Sequence, residues 1–155
     1  MNRLSFILVA VLFSAATMFT TSCSKEQGCT DPDSKKYSET AEEDDGSCAY
    51  EGKTVFWYDE EAATGLINDG AVSLTYYVDG KVVGSSSASV YWSGGTAPDC
   101  GQDGSVTVTK DLGNVKTQSY SYSVKDQTDH EYWSGTLNFN ANTCTALELD
   151  WTKKK

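Results

Sequence analysis

Histidine is nearly missing from this 155-residue chain, with His130 the only one. A zinc site needs about three nitrogen or sulfur ligands, which a lone imidazole among paired cysteines cannot supply. A serine triad needs a nucleophile poised against the imidazole. Here the serines come in runs such as Ser85-Ser86-Ser87, and no GxSxG is present. His130 falls in "KDQTDHEYW", beside Asp129 and Glu131 and between two strand-like stretches, where a turn is its expected role. Paired carboxylates for glycoside hydrolysis have many candidates among 22 acids, but none stands on a convincing apolar scaffold position. These absences count against catalysis, and the chain is read as non-enzymatic and without a resident cofactor.

Basic residues are scarce as well: 12 Lys and Arg face 22 Asp and Glu. Counterion release on a phosphate backbone needs clustered Lys and Arg, so nucleic acid is not an expected partner. The one basic cluster, "TKKK" at 152–155, reads as a frayed, solvated tail. Long apolar runs are limited to Leu4–Phe19, 16 residues broken only by Ser and Thr and preceded by the single charge of Arg3. That is short of the about 20 residues that cross a bilayer, and it suits a secretory leader.

Cysteine is present in odd number, and an odd thiol in an exported chain needs a fate. Five cysteines occur, at 23, 29, 48, 100 and 144. If Cys23 is withdrawn, the remaining four can pair completely, in any of three ways. The leader ends in Thr20-Thr21-Ser22-Cys23, which resembles a bacterial lipoprotein lipobox, with Thr20 standing where Leu is usual. The resemblance implies removal of residues 1–22, acylation of Cys23 and a membrane anchor; each buried methylene of the acyl chains contributes about 0.8 kcal/mol. Beyond Cys23 the linker 23–27 runs into the module as "SKEQG" (24–28), similar to the signals that send some lipoproteins to the outer face of the bacterial outer membrane. Without residues 1–22 the chain holds 11 Lys against 22 acids, a net charge of −11. Such a charge favours solubility, repulsion from anionic surfaces, or divalent cations.

Residues 28–50 form a separate composition. Of the 18 residues between Cys29 and Cys48, only Tyr37 and Ala41 are apolar, so burial cannot hold this loop. Gly28-Cys29-Thr30-Asp31-Pro32 and Asp44-Asp45-Gly46-Ser47-Cys48 resemble a short disulfide module recurrent in secreted and surface bacterial proteins. That resemblance implies the bridge Cys29–Cys48, worth roughly 3 kcal/mol by chain entropy, and leaves Cys100 with Cys144, worth roughly 4. Asp31, Asp33, Asp44 and Asp45 bring hard oxygens to the two ends of the loop, and calcium is the cation that such oxygens would take. The competing reading makes the same residues turn formers, Asp31 before Pro32 and Asp45 before Gly46. It is the stronger of the two, because no EF-hand pattern is present.

From Glu51 the period becomes two. Strands are predicted at "TVFWY" (54–58), 72–78, 82–85, "SASVYWS" (87–93), 105–110, 115–126, 131–139 and 144–151, with a partly helical "DEEAATGLINDG" after the first. Val72, Leu74, Tyr76 and Val78 share one face, and Asp79-Gly80 is a type I′ hairpin pair. About seven antiparallel strands with one wet face predict an all-β sandwich over 51–151, with a small barrel as the competing closure. "YVDGKVVG", "YWSGGTAPDCG" and "YWSGTLNF" resemble a small transthyretin-like β-sandwich of bacterial lipoproteins and surface proteins, which implies a surface module. Trp133 and Trp151 share parity with Leu137 and Leu149 and are expected in the core. Tyr77, Tyr91 and Tyr132 alternate outward, where they would form an aromatic platform for a glycan. The expectation is therefore an anchored extracytoplasmic module that binds a surface protein or, as the alternative, a polysaccharide within an uptake system.

Overall fold

The computed structural model describes residues 24–155; the leader over 1–22 and the acylation candidate Cys23 lie outside the described residues. Two very short strands, β1 (Gln27–Gly28) and β2 (Glu43–Asp44), pair in parallel within the acidic module. The main body contains β3 (Tyr50–Trp57), helix α1 (Glu60–Asn68), β4 (Ser73–Val78) and β5 (Lys81–Ser87). It continues through β6 (Val106–Gly113), β7 (Thr117–Asp126), β8 (Glu131–Asn140) and β9 (Cys144–Glu148). One sheet runs β6–β3–β9 and the other β5–β4–β7–β8, so the body is an open sandwich of seven strands. Within these two sheets the pairs are antiparallel except β3 with β9, which is parallel. The chain returns to β3 by the long connection through the other sheet, a pairing that no local pattern announces.

Alternation builds the core as the sequence expects. Leu74, Tyr76, Val78, Val106, Val108, Val124, Leu137 and Phe139 are buried between the sheets, and the Phe56 ring lies 5.2 Å from that of Tyr76. Each large side chain withdrawn completely from water contributes about 1.5–3 kcal/mol. Thr54 is also fully buried here, and its hydroxyl has no partner. A valine keeps the shape and removes the stranded donor, so Thr54→Val is expected to raise stability by about 1 kcal/mol. Urea titration measures it, and a lower midpoint would count against the assignment.

Helix α1 is bounded by its caps. The Asp59 carboxylate accepts from the Ala62 N–H at 2.9 Å, and Glu60 and Glu61 complement the positive end of the helix. At the other end Gly70 takes φ 87°, while Gly70 N–H and Ala71 N–H donate to the carbonyls of Ile67 and Leu66. This is a Schellman closure, and it needs a residue free to adopt positive φ. The hairpin at Asp79-Gly80, with φ 55° and 69°, is the I′ turn expected.

Three expected features differ. Residues 88–92 are not a strand: Ser87 Oγ accepts from the Ser89 N–H, and Val90 N–H donates to the Ser87 carbonyl, so a hydroxyl-stabilised turn ends β5. Val72 shares parity with Leu74 but precedes β4 and is 71% exposed, because the preceding residue, Ala71, takes the buried position there. The C-terminal lysines are also not frayed. Lys153, Lys154 and Lys155 pair with Asp150, Asp69 and Glu131 at 2.9, 2.7 and 2.6 Å.

The register gives the sandwich two distinct ends. At the near end lie Tyr50, Gly113, Thr117, Asn140 and Cys144, next to the acidic module. At the far end lie Trp57, Val106, Ser73, Ser87, Asp126 and Glu148, together with α1.

Candidate functional site

Both expected bridges are formed, Cys29–Cys48 and Cys100–Cys144. The first closes the module. The second straps the loop 96–105 across the outer face of the three-stranded sheet, where Gly101 N–H donates to Thr107 Oγ1 at 2.9 Å. Thr107 is the cross-strand partner of Val55, so this loop accounts for the burial of Val55 and Trp57 on a face that would otherwise be wet. A shallow cavity of about 340 Å³ flanks that bridge, lined by Glu51, Lys53, Asp99, Asn142 and Thr143.

The module docks through lysine. Lys116, leading into β7, places its Nζ 2.6 Å from Asp31 Oδ2 and 3.0 Å from Asp33 Oδ2. Tyr50 donates its hydroxyl to Asp31 Oδ2 at 2.8 Å, and Lys35 reaches Asp111 at 3.0 Å. Asp31 also bonds the Asp33 N–H, while Asp44 and Asp45 accept from the N–H groups of Gly46 and Ser47. Asp31, Asp44 and Asp45 thus close turns, while Asp33 pairs with the Lys116 ammonium that also bonds Asp31. No group of three or more His, Cys, Asp or Glu is arranged to hold a metal among the described residues. Lys116 was not found from the sequence because its partners lie over 80 positions away, with 83 separating it from Asp33.

The lysine bond, then the tyrosine bond, hold the Asp31 carboxyl below the ordinary carboxylate range, and the bonds to Asp31 and then Asp33 raise Lys116. A depressed carboxyl supports the folded form above the ordinary value and stops doing so as pH falls through its own pKa. Module docking should therefore loosen in acid, below about pH 4. In carboxyl-carbon NMR titrations, Asp31 is expected to show a depressed midpoint that returns toward the ordinary value in Lys116→Ala. An unchanged midpoint in the variant would contradict the clamp.

No protein-family model, curated protein or solved structure matches this chain. Its surfaces therefore have to be read from their own chemistry.

The three platform tyrosines are not brought together. Tyr132 is 2% exposed, although its parity points outward. Val124 faces Trp133 and Lys125 faces Glu131, so Tyr132 is the extra residue of a β-bulge and turns inward. There it joins Trp133 and Trp151, with ring centroids 5.7 and 6.1 Å away. Tyr77 stands half-exposed on the outer face of the four-stranded sheet, among Thr75, Ser121 and Ser123, with Lys125 Nζ 5.7 Å from its ring. Tyr91 is 39% exposed in the far-end loop after β5. Tyr77 and the far end of β4 are four residues apart, roughly 13 Å of strand, so the two rings serve different surfaces.

The far end carries the chemistry that faces outward. Ile67, Val72, Val90 and Tyr91 expose apolar surface there. Beside them an open basin of about 360 Å³ is lined by Asp69, Asp126, Thr128, His130 and Tyr132. Asp126 Oδ1 accepts from the Thr128 N–H, the Thr128 hydroxyl and the His130 N–H at 2.8, 2.7 and 3.0 Å. Burial pushes that carboxyl up, but these bonds outweigh it and its pKa lies below the usual range. The His130 ring packs edge-on to Tyr132, with centroids 4.8 Å apart. His130 therefore stands at a turn, with its backbone bonded to Asp126 and its ring against an aromatic. Among the described residues no helix is long and apolar enough to cross a membrane.

Proposed function

We propose that the protein is an extracytoplasmic lipoprotein that acts as a non-catalytic binding module, anchored to the bacterial outer membrane through acylated Cys23. The observation that carries this reading is the cysteine count: two bridges use four of the five thiols, and the one left over is Cys23, at the end of a lipobox-like leader. Thiols paired so fully fit an oxidising compartment. The far end, with its exposed Ile67, Val72, Val90 and Tyr91, is the surface that meets a partner at the cell exterior.

Cys23→Ser tests the anchor. The variant is expected to lose incorporation of labelled palmitate in a Gram-negative host and to keep residues 1–22. Equal labelling of variant and parent would refute acylation at this residue.

A glycan ligand is the second reading, favoured by Tyr77 on a sheet face of Ser and Thr in which Lys125 is the neighbouring charge. Tyr77→Ala should then reduce retention on a neutral polysaccharide column, and unchanged retention retires that reading.

A further inference from the structure

The distance available between the anchor and the folded body is short. Glu26 is already held: its carbonyl accepts from the N–H groups of Glu42 and Glu43 at 2.9 and 3.3 Å, and its carboxylate accepts from the Thr40 hydroxyl at 2.6 Å. Gln27 then pairs with Glu43 in β1–β2. Only Ser24 and Lys25 separate Cys23 from this fixed point. Three Cα steps reach roughly 11 Å at most. A headgroup layer is itself roughly 5–7 Å deep on each side of the bilayer, so a lipid on Cys23 brings the module against it.

The structure also says which side of the module arrives there. Asp31, Asp33 and Lys35 face the sandwich through Lys116 and Asp111. Glu26, Glu39, Glu42 and Glu43 are exposed and make no ion pair among the described residues, and they surround the point where the chain leaves toward Cys23. We infer that this carboxylate-bearing face of the module rests on zwitterionic lipid headgroups and that the sandwich stands end-on, its far end directed away from the bilayer. The inference rests on the acylation of Cys23 proposed above.

Rigidity makes the contact directional. The Cys29–Cys48 bridge fixes the module internally, and the Lys116 and Lys35 clamps fix it to the near end. Tilting the body would lay its sides on the membrane. On the four-stranded sheet that side is largely hydroxyl and amide, with Ser119 facing Asn138 and Ser121 facing Thr136, and Tyr77 opposite Val82 adds only a small apolar pair to hold it down. The carboxylates of the contact face disfavour anionic lipid for the same Coulombic reason.

The test uses the full chain, processed in a bacterial host and reconstituted in phosphatidylcholine–phosphatidylethanolamine vesicles that carry a headgroup-linked acceptor dye. A donor is attached through an unnatural amino acid at Glu39 in one sample and at Ser93 in another. Energy transfer from Glu39 should exceed that from Ser93 by roughly twofold or more, given ~33 Å of strand between the two ends. A ten-residue Gly-Ser insertion between Ser24 and Lys25 should reduce the Glu39 signal. Equal transfer from both sites in acylated protein, or no effect of the insertion, overturns the orientation while leaving the anchor intact. A mass spectrum of the same vesicles without acyl groups on Cys23 overturns the anchor reading, and the orientation with it.

Discussion

Replacing Cys100 and Cys144 together by serine is expected to destabilise the protein by roughly 4 kcal/mol. The bridge spans 44 positions, and a loop of that size loses much of its unfolded-state freedom when closed. The effect has a structural side as well. The loop 96–105 covers Val55 and Trp57, and Gly101 and Thr107 supply one polar contact that would remain. Freed from Cys144, the loop would open and expose that outer face, so the loss falls on packing as well as on chain entropy. The melting temperature should drop by about 10 °C or more. Proteolysis should also begin within residues 96–105 before the core is cut. A change below about 1 kcal/mol would mean that the loop holds its place without the covalent strap.

The second large effect reverses the usual sign of a helix substitution. Gly65 lies inside α1, where alanine would ordinarily gain about 1 kcal/mol. Its backbone instead supports the Trp151 indole, and a Cβ at position 65 would overlap the ring carbons of that indole. Trp151 has little room to retreat. It lies against Tyr132 and Trp133, while Lys154 covers it with Nζ 3.8 Å from the ring and pairs with Asp69. Gly65→Ala is therefore expected to destabilise by about 2 kcal/mol, as overpacked cores do. In a Trp151→Ala background the same change should stabilise by up to about 1 kcal/mol, because only helix propensity remains. Denaturant midpoints of the four proteins give the coupling directly. A stabilising Gly65→Ala in the parent would show that the indole is not seated on the helix.

The sequence made the sandwich legible wherever local chemistry and burial agree. Leu74, Tyr76 and Val78 alternate inward, Asp79-Gly80 turns, and Asp59 and Gly70 bracket α1 through caps that can be read from residue type. Legibility fails where one residue changes the count. The bulge opposite Val124 and Lys125 rotates Tyr132 into the core and removes it from the aromatic platform, and alternation alone contains no sign of an inserted residue. Ser87 ends its strand through a hydroxyl bond that strand propensity ignores. The parallel pairing of β3 with β9 and the reach of Lys116 to Asp31 are set by the assembled fold, at separations that pattern reading does not span. For the site, the two bridges were readable through the resemblance of the loop ends at 28–32 and 44–48, since the count of cysteines alone left three pairings open. The far-end surface was not, since it is composed of residues from α1, the start of β4 and the loop after β5 that only topology brings to one end.

Native protein purified from membranes with its bridges intact, digested and weighed at the amino-terminal peptide, gives the most direct reading of the central claim. The account predicts a chain that starts at Cys23 with acyl groups on its sulfur and amine, and no free thiol elsewhere. An unmodified Cys23, or a processed chain that lacks it, would contradict the anchor on which the proposed function stands.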